Sequence, residues 1–166
     1  DIFEAPQGYV AGLFDDGFVL EDLLHYGAPF RVVEPGYAIK MFPSQYGTHF
    51  AITAALELHG RIADPSAIAA VEIVTPPMHY VDRPQPASGL AGKFSWQYVT
   101  ACGLLDGRVN MASFEDSRRF AADMEAMLGR ITVDMRTEIS ARFDQMHVET
   151  TVRMKDGTLL HARCDG

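Results

Sequence analysis

Between Tyr37 and Gly60 the sequence reads YAIKMFPSQYGTHFAITAALELHG, with a lysine, a serine, a glutamine and a histidine ahead of a run of alanine and leucine. Pro43 and Ser44 follow Lys40, and the apolar spacing beyond them predicts a helix over 44 to 59. The lysine would then stand just ahead of a helix N-terminus, where free N–H groups and the positive end of the helix dipole favour an anion such as a carboxylate. Gln45 and His49 are four apart, which puts them on one face of that helix and adds a donor and a proton carrier to the same pocket. Lys40, Ser44 and Gln45 are therefore candidates for holding a substrate, and Lys40 and His49 for catalysis. The plainer account of the same residues is a solvated lysine, an ordinary first-turn glutamine and a core histidine.

Lys93 and Ser95, in GKFSWQY, again set a cation and a hydroxyl at a helix start, and capping by Ser95 is the simpler role. His79, His147 and His161 lack the spacing of metal ligands and read as structural or surface residues. No glycine-rich phosphate loop and no Ser–His–Asp order can be defended. Cys102 and Cys164 have no CxxC or histidine neighbours and read as reduced, buried thiols. No metal site is expected.

These residues need elements to hold them. FVLEDLLHYG, residues 18 to 27, is a short helix candidate closed by Gly27. IAAVEIVTP alternates as a strand and ends at Pro76 and Pro77, and the proline- and glycine-rich stretch RPQPASGLAG follows as a loop. FSWQYVTACGLL carries Phe94, Tyr98, Ala101, Cys102 and Leu105 on one stripe, predicting an amphipathic helix over 94 to 105. DSRRFAADMEAMLG predicts another over 116 to 128, with Asp116 as its N-cap and Gly129 beyond its end. ITVDMR is a short strand, and HVETTVRMKDGTLLHARC is a hairpin turning at Asp156-Gly157. The fold class expected is α+β: a mainly antiparallel sheet of about four strands covered on one face by three helices.

The chain has 166 residues, 48% hydrophobic and 22% charged, which is enough for one core and ordinary for a globular domain. A net charge of -8, with 14 scattered Lys and Arg, argues against a nucleic-acid partner. No apolar run reaches the roughly 18 residues a membrane span requires. A soluble, cytoplasmic protein without a membrane partner is the expectation, and a small anionic ligand remains compatible with it.

Three stretches resemble successive blocks of the MmgE/PrpD family: IFEAPQGY, EPGYAIKMFPSQYGTHFAITAALEL and GLAGKFSWQYVTACGLLDGRVNMASFED, in family order over nearly the whole chain. The resemblance implies a subunit with a large helical domain and a smaller α+β lid that closes the active site. Residues 1 to 43 would be the tail of the helical domain and 44 to 166 the lid. It implies a cofactor-independent lyase, a dehydratase or decarboxylase of a di- or tricarboxylic acid such as 2-methylcitrate. An epimerase of the iminodisuccinate type, or a module that only binds or dimerises, is the alternative. In the family's K-x-[FY]-P block the lysine contributes to the substrate pocket, a role that falls on Lys40. His49 matches a histidine common in the block, and Gln45 stands where the decarboxylase branch has a histidine. The acid–base aspartate would come from the helical half, so this chain alone would be inactive. The partners implied are a small carboxylate substrate, the helical domain of the same protein and further copies in a homo-oligomer.

Overall fold

Alternation of side chains across a pleated strand decides which layer each residue joins, and Ile68–Thr75 forms strand β1 on that basis. The structure is a computed structural model that describes residues 39–166 throughout and, ahead of them, 5–6, 8–14, 18–19, 21, 27, 29–30, 32–34 and 36–37. Strands β2 (Ile131–Met135), β3 (His147–Met154) and β4 (Leu159–Asp165) complete one sheet in the order β2-β1-β3-β4. β1 runs parallel to β2 and antiparallel to β3, and β3 is antiparallel to β4. The sheet is mixed but mainly antiparallel, and the protein is α+β. The β3–β4 hairpin turns at Asp156-Gly157, with Gly157 at φ +90°, a conformation glycine reaches without a Cβ penalty.

The chain divides into two compact units, Asp1–Ile39 and Lys40–Gly166. In the first, a five-residue helix α1 (Tyr9–Leu13) is followed by Phe14, whose ring lies 4.7 Å from that of Phe18. The helix expected over 18 to 27 falls for the most part outside the described residues.

In the second unit the register stacks one apolar layer across the strands. Val71 and Ile73 pair with Ile131 and Val133 on one side and with Val152 and Thr150 on the other, and Leu160 and Ala162 continue the layer on β4. Helices α2 (Thr48–His59), α4 (Trp96–Asp106) and α6 (Ala122–Leu128) lie with it, α2 touching β3 and β4 and α4 touching β2. The opposite face presents Glu72, Thr132, Glu149, Thr151 and Arg163, which suits exposure to water. Two shorter helices, α3 (Gly89–Gly92) and α5 (Asp116–Arg119), sit in the long crossover from β1 to β2.

Three helix expectations are corrected. The helix expected from 44 begins at Thr48, because Ser44 to Gly47 form a turn tied by its own side chains. The amphipathic stripe assigned to 94–105 is absent. Trp96 to Leu104 are all buried, since α4 is packed between α2, α6 and the sheet, while Phe94 precedes the helix and is exposed. The helix expected over 116–128 is broken at Phe120 and Ala121, the latter extended at φ -67° and ψ 143°. Asp116 does not cap it but accepts a hydrogen bond from the Gly89 N–H at 2.7 Å, tying α5 to α3. Cys102 is buried as expected, whereas Cys164 is only half-buried. Burial, with the charge of Asp106, pushes the Cys102 thiol up to about 12, which keeps it protonated.

α2 and α4 run side by side in the same direction. Gln45 meets Lys93 ahead of the two helices, Ala55 meets Gly103 along them, and His59 meets Leu104 and Gly107 at their ends. The approach is close enough that a Cβ on Gly103 would lie 2.6 Å from that of Ala55. Gly103→Val is expected to destabilise the protein by about 2 kcal/mol, within the usual range for overpacking. Ala55→Gly in the same chain should restore part of the loss, read as the midpoint of urea unfolding.

Candidate active site

The parallel course of α2 and α4 brings two helix starts, Thr48 and Trp96, to one corner. Both positive dipole ends therefore open on the same place. The first N–H groups of α2 are nevertheless already used: Thr48 and His49 donate to the carbonyls of Gln45 and Tyr46 at 3.1 and 3.0 Å. The free N–H groups expected there are thus spent on the turn, and the positive potential of the corner comes from dipoles and side-chain cations. On α4, Ser95 caps the helix, accepting from Tyr98 N–H at 3.0 Å and donating to Arg83 O at 2.6 Å.

Gln45 lies ahead of α2 and not on its face. Its backbone N–H donates to Lys93 O at 3.0 Å, which joins the two helix starts. Its side-chain Oε1 accepts from Thr48 N–H at 3.2 Å, and its Nε2 donates to the Tyr80 hydroxyl at 2.7 Å. With that bond accepted, the Tyr80 O–H has its own proton to give elsewhere. Partial burial raises the Tyr80 phenol above its ordinary value, with the Gln45 bond opposing, so it is a neutral donor near neutral pH.

Lys40 is exposed, and its Nζ donates to the Ser44 carbonyl at 3.1 Å. Ser44 itself is buried, its Oγ 2.9 Å from the hydroxyl of Thr48, which donates to Gln45 O at 2.7 Å. The serine thus braces the turn from within. His49 is 8% exposed, set edge-on to Phe42 at 5.3 Å and beside Tyr46 at 5.2 Å, and its Nε2 has no hydrogen-bond partner. Burial holds the ring below its ordinary value of 6.5. The charge of Lys40 acts in the same direction, and backbone hydrogen bonds at Phe42 and Ser44 oppose it. His49 is a neutral base behind the lysine.

The loop after β1 supplies residues that sequence reasoning did not single out. Tyr80 belongs to a 3-10 turn, His79–Val81. Arg83 donates from Nε to Tyr80 O at 3.1 Å, and its guanidinium lies 5.4 Å from the centre of the Phe94 ring. Gln97 Nε2 holds Asp82 Oδ1 at 2.6 Å. Buried Arg119 donates to Pro86 O at 2.7 Å and Gln85 Oε1 at 3.1 Å, pinning the far end of the loop. The readable signal was an aromatic and a cation between two proline clusters, PPMHYVDRPQP, but nothing in it points to Gln45. Lys93 Nζ stands 5.4 Å over the Phe114 ring. His147 begins β3 and His161 lies on β4, where its carbonyl takes a hydrogen bond from Arg61 beyond the far end of α2. Among the described residues no group of His, Cys, Asp and Glu side chains forms a metal-ligand set.

The arrangement can orient a carboxylate, stabilise negative charge and donate a proton, and comparison with known proteins bears on which of these matters. The model of the MmgE/PrpD C-terminal domain matches residues 42–166. The chain belongs to the MmgE/PrpD family. It is 30% identical to a 2-methylcitrate dehydratase from Cupriavidus necator, over 93% of this chain and 36% of the relative. It is 27% identical to a cis-aconitate decarboxylase from Mus musculus, over 77% of this chain and 28% of that protein. The chain thus spans about a third of the length of these MmgE/PrpD relatives. No helix among the described residues is long and apolar enough to cross a membrane.

A histidine whose folded pKa is depressed binds its proton more readily when unfolded, so it favours folding above its unfolded value and loses that contribution as pH falls below about 6.5. Stability should therefore decline from pH 7 to pH 5. In His49→Phe, which keeps a ring between Phe42 and Tyr46, that decline should be smaller, measured by urea midpoints at the two pH values.

Proposed function

We propose that the protein carrying this chain is a lyase that removes a proton beside a carboxylate of a di- or tricarboxylic acid and then expels water. The observation that carries the reading is Lys40, a cation fixed by a main-chain carbonyl at the corner where two helix N-termini meet. A carbonyl orients an ammonium without neutralising it, so the charge stays available to a substrate carboxylate. When a base takes the proton from the carbon next to that carboxylate, the electron pair spreads onto the carboxylate oxygens as an enolate-like dianion. Lys40 and the aligned dipoles stabilise that charge. The pair then returns to form the carbon–carbon double bond as the C–O bond of the β-hydroxyl breaks, and a proton from Tyr80 lets the hydroxide depart as water. The base then gives up its proton and the Tyr80 phenolate takes one, through solvent, which restores both groups. Gln45 carries no titrating group and holds Tyr80 in place.

Dehydration is the reaction proposed: Tyr80 can supply the proton that a departing hydroxide requires, as it could the proton that the carbanion left by loss of carbon dioxide would need. The dehydratase relative, aligned over 93% of the chain, supports the same choice. In this reading residues 44–166 act as the lid and residues 1–43 as the tail of a helical domain. That domain contributes the base, and further copies of the protein complete a homo-oligomer. Ser44 supports the binding turn from within, and His49 is a reserve proton carrier behind Lys40.

Lys40→Met keeps the aliphatic stem and removes the ammonium. In the full-length protein with 2-methylcitrate, kcat is expected to drop by about two to three orders of magnitude if the charge acts on the transition state. A rise in KM at nearly constant kcat would make Lys40 an anchor only. Unchanged values in a variant shown to be folded would remove the lysine from the site.

A further inference from the structure

We infer that Arg83 is a second carboxylate-binding residue, and that it sets the preference of this site for acids with a carboxylate at each end. The inference rests on the reading of the Lys40 corner as the lyase site. It begins from a likeness between two cations. Lys40 is tethered by the carbonyl of Ser44, the residue before Gln45, and Arg83 by the carbonyl of Tyr80, the partner of the Gln45 amide. Each is oriented by a neutral acceptor attached to the Gln45–Tyr80 hydrogen bond, one from each side. Among the described residues neither lies within ion-pair distance of a carboxylate, although six other arginines of this acidic chain do.

The guanidinium of Arg83 is also steadied from below. Its Cζ lies 5.4 Å over the ring of Phe94, the residue after Lys93, whose carbonyl takes the Gln45 N–H. The ring supports the cation, and with Nε spent on Tyr80 O the Nη groups are left for two parallel bonds to a carboxylate, the geometry that arginine offers and lysine does not. The backbone beneath is held by Ser95, which donates to Arg83 O. The nearest acid in sequence, Asp82, is held by the amide of buried Gln97. Phe94 and Tyr80 are 42% and 52% exposed, so the surface between them is open to a ligand. Lys40 would take the carboxylate next to the reacting carbon, the Tyr80 O–H the departing hydroxyl, and Arg83 a carboxylate at the far end.

The test uses the full-length enzyme and two unreactive competitors on one carbon skeleton: tricarballylate, and methylsuccinate, which lacks one terminal carboxylate. The unaltered enzyme should bind tricarballylate more tightly. In Arg83→Gln, inhibition by tricarballylate should weaken about 10- to 100-fold, the scale of a lost charged hydrogen-bonded contact. Methylsuccinate should change less than about threefold, and Arg83→Lys should fall between. Equal weakening of both competitors, or of neither, in variants that melt like the parent overturns the assignment of Arg83. If Arg83→Gln is silent while Lys40→Met is impaired, the lyase reading stands without this inference. If neither acid competes with the unaltered enzyme, the lyase reading itself fails.

Discussion

Everything at the candidate corner depends on how closely α2 and α4 approach. α4 is buried along nearly its whole length and α2 exposes only the stripe of Thr53 and Glu57, and the two meet most closely at Ala55 and Gly103. That contact sets how near they lie, and with the Gln45–Lys93 and His59–Leu104 contacts on either side it defines their stagger. Because the helices are parallel, their starts are brought together, and the segments ahead of them, Lys40 to Gly47 and Lys93 to Ser95, become neighbours joined by the Gln45–Lys93 hydrogen bond. Core packing thus sets a distance between polar groups that no local sequence feature controls.

The site is then assembled by neutral acceptors. Main-chain carbonyls of Ser44 and Tyr80 hold Lys40 and Arg83, and the Gln45 amide bridges the helix start to the Tyr80 hydroxyl. Elsewhere in the molecule cations are used differently. Arg118 is locked between Asp106 and Asp123, and buried Arg119 meets Glu125 while it pins Gln85 and Pro86. Those arginines spend their charge on structure. The contrast separates groups that hold the fold from groups left able to meet an anion.

The sheet was legible in the sequence because alternation and Asp-Gly chemistry are local: Val71, Ile73, Val148 and Val152 declare their face two residues at a time, and Gly157 marks its own turn. Helix type was equally plain, but helix limits and faces were not. Ser44 to Gly47 look helical until the Thr48 hydroxyl and Gln45 amide are seen to bind the turn instead. The break at Ala121 has no proline or glycine to announce it. A helix buried all round, as α4 is, offers no polar side from which a stripe can be read. At the candidate corner, Lys40, Ser44, Gln45 and His49 could be picked out in the sequence because they share one short segment. Tyr80 and Arg83 could not be joined to them in the sequence, because the Gln45–Tyr80 link spans 35 residues and exists only once β1 has carried the chain back past the start of α2.

The parallel pairing of α2 and α4 has a thermodynamic side as well. Aligned helix dipoles lying side by side place like partial charges next to each other, about half a unit at each N-terminus, and this self-repulsion opposes the packing that created it. Lys40 and the corner's other cations add to the strain. In the proposed reading a bound polycarboxylate would neutralise both, so affinity for the ligand and stability of the fold would draw on the same electrostatic term. Ligand and fold would then be linked: a concentration 100 times the dissociation constant would raise stability by about 2.7 kcal/mol. Substitutions that relieve the repulsion with a fixed acid would trade that responsiveness for a more stable but less receptive protein.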